Sequence, residues 1–199
     1  MAGFQTKTFM KHDDYMTPKY AWSNIKQFIP DDKIIWDPFY GNGDSGDFLQ
    51  EIKPESTILH NQDDFFEVCS NLYIGLPTGR IIHEVINEEN TCIVTNPPFS
   101  KSKEVLTTMK KIGLPFIMIL PSSKICTQYF RKLFSGLEDQ IQIIVPRKRI
   151  HFKKLIWDEE TQTMKEPENW KNSCNFDCFY YCWKMDLPKD IIWLEQEVY

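Results

Sequence analysis

No apolar run in this 199-residue chain approaches the roughly 18 residues that a membrane-spanning helix needs. The opening residues, Met1-Ala2-Gly3-Phe4-Gln5-Thr6-Lys7, lack the apolar core of a secretory leader. The expectation is an intracellular protein, cytoplasmic or nuclear, that is not secreted and has no membrane partner. Cysteine pairs at metal-ligand spacing are missing as well. Of six cysteines, Cys174, Cys178 and Cys182 recur every four residues, without the Cys-x2-Cys grouping of zinc modules. No metal is expected, and the run reads as free thiols in an aromatic strand. A basic excess is absent too: 23 Lys and Arg against 28 Asp and Glu give a net charge of −5, which argues against a dedicated nucleic-acid binder. There is no internal repeat and no low-complexity stretch. The length suits one α/β domain over 1–199.

Glycine is scarce, at eight, yet Gly41, Gly43 and Gly46 fall close together. They follow the apolar run Lys33-Ile34-Ile35-Trp36 in Asp37-Pro38-Phe39-Tyr40-Gly41-Asn42-Gly43-Asp44-Ser45-Gly46-Asp47. Glycines between a strand and a helix allow a tight turn and close approach of backbone to a ligand. The Lys-Ser/Thr ending of a phosphate-binding loop is missing, and Asp37, Asp44 and Asp47 make this loop acidic. Its guest should carry positive charge or many hydroxyls rather than a pyrophosphate.

A second strand, Thr91-Cys92-Ile93-Val94, stops at Thr95-Asn96-Pro97-Pro98-Phe99. Each proline fixes φ near about −65° and lacks an N–H, and a residue before proline is pushed out of the helical region. Asn96 and Pro97 are therefore held extended. Taken alone this is ordinary turn punctuation with an aromatic bound for the core. Its functional reading is a receptor for a planar NH2 group: Asn96 Oδ1 and the Pro97 carbonyl accept the two N–H bonds, and Phe99 stacks on the ring.

The two loops in this order resemble the S-adenosylmethionine-dependent adenine-N6 methyltransferases, in particular the phage- and virus-type DNA adenine methyltransferases. The resemblance spans roughly Asp14 to Met185 and is strongest over Asp37–Gly43 and Asn96–Phe99. It implies a class I methyltransferase fold: an α/β, Rossmann-like sheet, mainly parallel with a final antiparallel strand, and helices on both faces. It implies S-adenosylmethionine as cofactor, with Asp37, Phe39, Gly41 and Gly43 in its binding loop and Asn96, Pro97, Pro98 and Phe99 as the catalytic loop. Thr17 and Pro18 resemble the family's N-terminal Thr-Pro element beside the methionine part of the cofactor, although Thr17 also reads as a helix N-cap with Pro18 as first helical residue. The family places an acid at the end of the second strand to bind ribose. Here His60 and Asn61 stand there, so the role passes to Asp63 or Asp64, which the sequence does not separate, with Phe65 beside the cofactor.

The implied reaction is methyl transfer to adenine N6 in DNA, with the base flipped into the Asn-Pro-Pro-Phe pocket. Alternatives are RNA adenine or protein glutamine methylation, or a catalytically silent methyltransferase-like binding subunit. Charge distribution bears on the choice. Residues 1–90 hold seven basic and fifteen acidic residues (7 − 15 = −8), and 91–199 hold sixteen and thirteen (16 − 13 = +3). Lys101, Arg147, Lys148, Arg149 and His151 are the expected substrate contacts, and nucleic acid, with DNA first, the expected partner. No target-recognition domain is visible, so specificity is short, set by a homodimer, or supplied by a separate recognition subunit. Residues 151–174 are expected as an inserted loop or hairpin contacting substrate or partner.

Periodicity and breakers predict helices near 18–29, 46–53, 102–111 and 125–134, and strands at 33–36, 56–60, 91–95, 116–121, 141–145 and 175–184. Residues 67–90 read as a loop with a helix from Arg80 to Asn87.

Overall fold

The computed structural model describes residues 15–62, 65–74, 86–154, 156–158, 163–165 and 176–195. Eleven strands are present among them: β1 (Tyr15–Met16), β2 (Ile34–Trp36), β3 (Ile58–Leu59), β4 (Thr91–Thr95), β5 (Phe116–Pro121), β6 (Ile141–Val145), β7 (Lys153–Lys154), β8 (Ile156–Asp158), β9 (Thr163–Lys165), β10 (Cys178–Trp183) and β11 (Ile191–Trp193). The α-helices are α1 (Lys19–Ser23), α2 (Asp44–Ile52), α3 (Phe65–Ile74), α4 (Ser102–Ile112) and α5 (Gln128–Leu133).

Seven strands form the main sheet in the order β11-β6-β10-β5-β4-β2-β3. β4, an apolar run between two threonines, and β5, apolar throughout, are buried at every position, as strands covered on both faces must be. β10 is antiparallel to both neighbours; the remaining pairings are parallel. Its consecutive tyrosines locate the two covering layers. Tyr180 donates its hydroxyl to the Ala21 carbonyl on α1 at 2.7 Å, whereas Tyr181 packs edge-on against Phe130 of α5, and both are buried. Adjacent strand residues point to opposite faces, so α1 and α5 lie on opposite sides of the sheet. This is a Rossmann-like α/β arrangement, a mainly parallel sheet with helices on both faces.

Several elements differ from expectation. The antiparallel strand expected at 175–184 is present as β10, inserted between β5 and β6, and an additional parallel strand, β11, follows it in the chain and takes the sheet edge. The helix expected over 18–29 stops at Ser23, and Lys26–Phe28 is a separate 3-10 turn, with Ile25 at φ −109° and ψ 7° between them. Thr17 is not its N-cap; Pro18 takes that position and no side chain caps the helix. The region read as loop from 67 begins with α3, whose Phe65 and Cys69 are four apart and both buried. Most of the helix expected over Arg80–Asn87 lies outside the described residues. Thr127, not Ile125, opens α5: its hydroxyl accepts from the Phe130 N–H at 3.4 Å. Within 151–174, β8 and β9 pair antiparallel, while β7 pairs with the N-terminal strand β1.

Candidate functional site

β2 leads through α2 to β3 on one side, and β4 leads through α4 to β5 on the other, so the chain changes direction between two adjacent parallel strands. Ligands of open α/β sheets bind outside the carboxyl ends of the strands at such a point. Register places Trp36 beside Ile93, which brings the loops that follow, Asp37–Gly43 and Asn96–Phe99, to the same edge. Between them is a cleft of about 430 Å³.

Asp37 forms one wall and is 1% exposed. Its Oδ1 accepts from Thr95 Oγ1 at 2.5 Å and from the Phe39 N–H at 3.4 Å, and its Oδ2 lies 3.4 Å from His60 Nδ1. Burial dominates the balance and pushes the carboxyl from 3.8 up to about 6, with His60, Thr95 and the Phe39 N–H pulling the other way. Because His60 Nδ1 faces two acceptors, the Asp37 carboxylate and the Asp37 carbonyl at 3.1 Å, that nitrogen carries the proton. The site is thus built to hold a carboxylate where water cannot stabilise it, which suits a cation arriving from the cleft.

Asn96 forms the opposite wall. Its Nδ2 donates to the Tyr15 carbonyl at 3.0 Å. A carbonyl only accepts, so this bond fixes which end of the amide is which and turns Oδ1 the other way. Asn96 Oδ1 is buried and has no partner, and Thr17 Oγ1, on the same cleft, is in the same state. Leaving a buried polar atom unpaired costs about 1–3 kcal/mol. Both atoms are ready-made positions for ligand hydrogen bonds. Beyond the prolines the carbonyls are engaged: Pro98 accepts from the Lys101 N–H at 3.1 Å, and Phe99 from Ser102 Oγ at 2.5 Å.

The glycine loop behaves as the sequence suggests. Gly41 and Gly43 have φ of +58° and +97°, which side chains rarely adopt. A Cβ at Gly43 would also lie 2.9 Å from the Tyr40 hydroxyl. Gly46 has a different role: the His60 ring occupies the place of its missing side chain, with Cδ2 2.3 Å from where a Cβ would sit. His60 in turn stacks on Tyr40, centroids 4.7 Å apart.

Of the residues expected here, Thr17, Asp37, Phe39, Gly41, Phe65, Asn96, Pro98 and Lys101 line the cleft. Pro18, Gly43 and Pro97 do not line it. Asp63 and Asp64 lie outside the described residues. Phe99 departs from expectation: it is 1% exposed and does not line the cleft. It is packed under Tyr15 (5.8 Å, nearly parallel) and edge-on against Phe152 and Phe176. An apolar ring gains more from that enclosure than from a wet cleft, and Tyr15 takes the position beside Asn96.

No protein-family model matches the chain, and no curated protein matches it. Among solved structures, the precorrin-6y C5,15-methyltransferase of Geobacter metallireducens GS-15 is similar at 15% identity, covering 86% of this chain and 94% of that one, with a TM-score of 0.40. A superposition that loose carries no argument about chemistry, which rests on the side chains themselves.

The basic run does not converge on the cleft. Arg147 donates to the Glu195 carbonyl at 2.7 Å, Arg149 pairs with Asp177 at 2.8 Å, and neither they nor Lys148 and His151 line the cleft. The backbone N–H of His151 donates to the Tyr20 hydroxyl at 2.7 Å. Among the described residues Lys101 is the single cation in the lining, its Nζ 5.4 Å from the Phe66 ring centroid. Sequence reasoning gave no site role to Tyr15, Met16, Tyr40, Asn42, Ser45, Gln62 and Phe66, which also line the cleft. For Tyr15 the signal was its place just before Thr17-Pro18. Thr95 and His60, which hold Asp37, carried no signal, because their roles come from strand register.

Proposed function

We propose that this chain transfers a methyl group from S-adenosylmethionine to the N6 amine of adenine in DNA. The observation that carries the reading is Asn96 Oδ1, a buried acceptor turned by the Tyr15 carbonyl and lacking an N–H donor, in the same cleft as a buried carboxylate. The residues fit the cofactor. Asp37 suits its positive charge, Thr17 Oγ1 offers a hydrogen bond, Gly41 and Gly43 let the backbone approach, and Phe39 and Phe65, ring centroids 4.7 Å apart, supply an apolar wall.

S-adenosylmethionine, held by Asp37, Thr17 Oγ1 and the backbone at Gly41, would supply an electrophilic methyl on sulfur, to be taken by the amine lone pair with the C–S electron pair left on sulfur. The amine then gives up one proton to solvent. Adenine N6 is a weak nucleophile because its lone pair is delocalised into the ring. Asn96 Oδ1, the unpaired acceptor of this loop at the cleft, accepts one of its N–H bonds, which orients the amine and favours lone-pair density out of the ring plane. Positioning and electrostatics supply the acceleration. Tyr15, at the cleft, takes the stacking role in place of buried Phe99.

The test is incubation with labelled S-adenosylmethionine and DNA, RNA or protein in separate reactions, followed by mass spectrometry of nucleosides and amino acids. N6-methyladenine from DNA is expected, and label only in RNA or in glutamine would replace the substrate. Asn96→Ala should lose transfer by about 100-fold or more while still binding S-adenosylmethionine in calorimetry. Full activity in that variant would sink the assignment, and absence of cofactor binding in the unaltered chain would mark a silent subunit.

A further inference from the structure

Among the described residues the exposed large hydrophobic side chains are Ile125, Ile191 and Trp193, at 37%, 52% and 70%. They are clustered, not scattered. Ile125 and Ile191 line one groove of about 890 Å³ with Phe130, Phe134 and Ile143, between α5 and the outer strands β6 and β11. Trp193 is two residues beyond Ile191 on β11, hence on the same face. A contiguous exposed apolar patch marks an interaction surface.

The adjoining sheet edge has its own unmet demand. β11 pairs with β6 on one side, and no described strand pairs with the other. The Ile143 N–H donates to the Asp190 carbonyl at 2.8 Å, and the Leu194 N–H donates to the Val145 carbonyl at 3.0 Å. Even-numbered backbone groups therefore face β6. Alternation along a strand turns the N–H and carbonyl groups of Ile191 and Trp193 outward.

We propose that this edge is a homodimer interface, in which two copies of β11 pair antiparallel about a two-fold axis through Ile192. That register sets Ile191 of one copy opposite Trp193 of the other, twice, with each pair exchanging both backbone hydrogen bonds. One step further out it sets Lys189 opposite Glu195, again twice, so the flanking charges are opposite in sign. Other registers lose both matches: an axis at Ile191 sets Lys189 against Trp193, and an axis at Trp193 sets Ile191 against Glu195. The edge is self-complementary in backbone, apolar surface and charge, which selects a second copy over an unrelated partner. Two seven-stranded sheets then join into one, and β6, β10 and β5 keep the interface away from the cleft between β4 and β2.

Sedimentation of the full chain across the micromolar range should give twice the chain mass, dissociating on dilution. Trp193→Glu should be monomeric where the unaltered chain is dimeric, with an unchanged circular-dichroism spectrum, because the side chain is exposed. Lys189→Glu and Glu195→Lys should each weaken the dimer by about tenfold, and the double reversal should restore it. A chain that is monomeric throughout overturns the proposal, and so does a dimer indifferent to Trp193→Glu or a double reversal no tighter than the single ones. Protection of Trp193 from hydroxyl-radical oxidation in a monomer would mean that the chain's own remaining residues cover the groove, and would overturn it as well.

Discussion

Asp37 is held where its charge is expensive, and the cost has a measurable pH signature. In the fold the carboxyl keeps its proton up to about pH 6, against an ordinary value of 3.8. The folded state therefore binds more protons than the unfolded chain between those values. Its stabilising contribution is fully present below 3.8 and lost as pH rises through about 6, an interval corresponding to about 3 kcal/mol at most. Urea melts from about pH 4 to about pH 7 should show this slope, and Asp37→Asn should remove it. A cation bound against the carboxylate lowers its pKa, so affinity for S-adenosylmethionine should rise with pH across the same window and then level. Calorimetry showing pH-independent affinity would separate Asp37 from the cofactor's charge. The acidic character of this loop was legible in the sequence. The unusual state of one of its acids was not, because it depends on burial that only the packed fold creates, against the opposing pull of His60 and Thr95.

At the scale of elements, α2 meets β3 through a glycine whose use is spatial rather than conformational. Gly46 sits inside a helix, where alanine is favoured by about 1 kcal/mol. A Cβ there would nonetheless collide with the His60 ring, which Tyr40 holds from another side. Gly46→Ala should therefore destabilise the protein by about 1–3 kcal/mol, the opposite sign to propensity. His60→Ala in the same background should recover much of that loss, and a thermal melt of the two variants decides it. The same contrast governs which elements were legible. β4, β5 and β6 are mostly apolar runs, interrupted in β6 by Gln142 alone, and their bounds match the sequence expectation. α3 was hidden because turn residues at Leu76-Pro77-Thr78-Gly79 dominate the window around it. β11 was hidden because three apolar residues are too few to show a period.

Across the whole molecule, charge decides how a nucleic acid can be held. The basic excess of the second half is real in sequence, yet Arg149 is paired with Asp177 and Arg147 with the Glu195 carbonyl, and among the described residues only Lys101 reaches the cleft. With DNA as substrate, phosphate contacts should be few. Lys101→Ala should reduce the slope of log affinity against log salt by about one, and Arg149→Ala by less. Equal reductions in fluorescence-anisotropy titrations would show that Arg149 leaves Asp177 to meet DNA. A dimer joined through β11 would present two such clefts, each open.

The sequence by itself determined the order of the two loops, the acid and glycines of one and the rigid amide of the other, because prolines, glycines and apolar runs act over a few residues. Only the tertiary structure decided that Tyr15 rather than Phe99 borders the cleft, that the Tyr15 carbonyl aims Asn96, and that Thr95 and His60 hold Asp37. Those outcomes depend on which strands become neighbours and which rings win burial. Such competitions are settled between residues far apart in the chain.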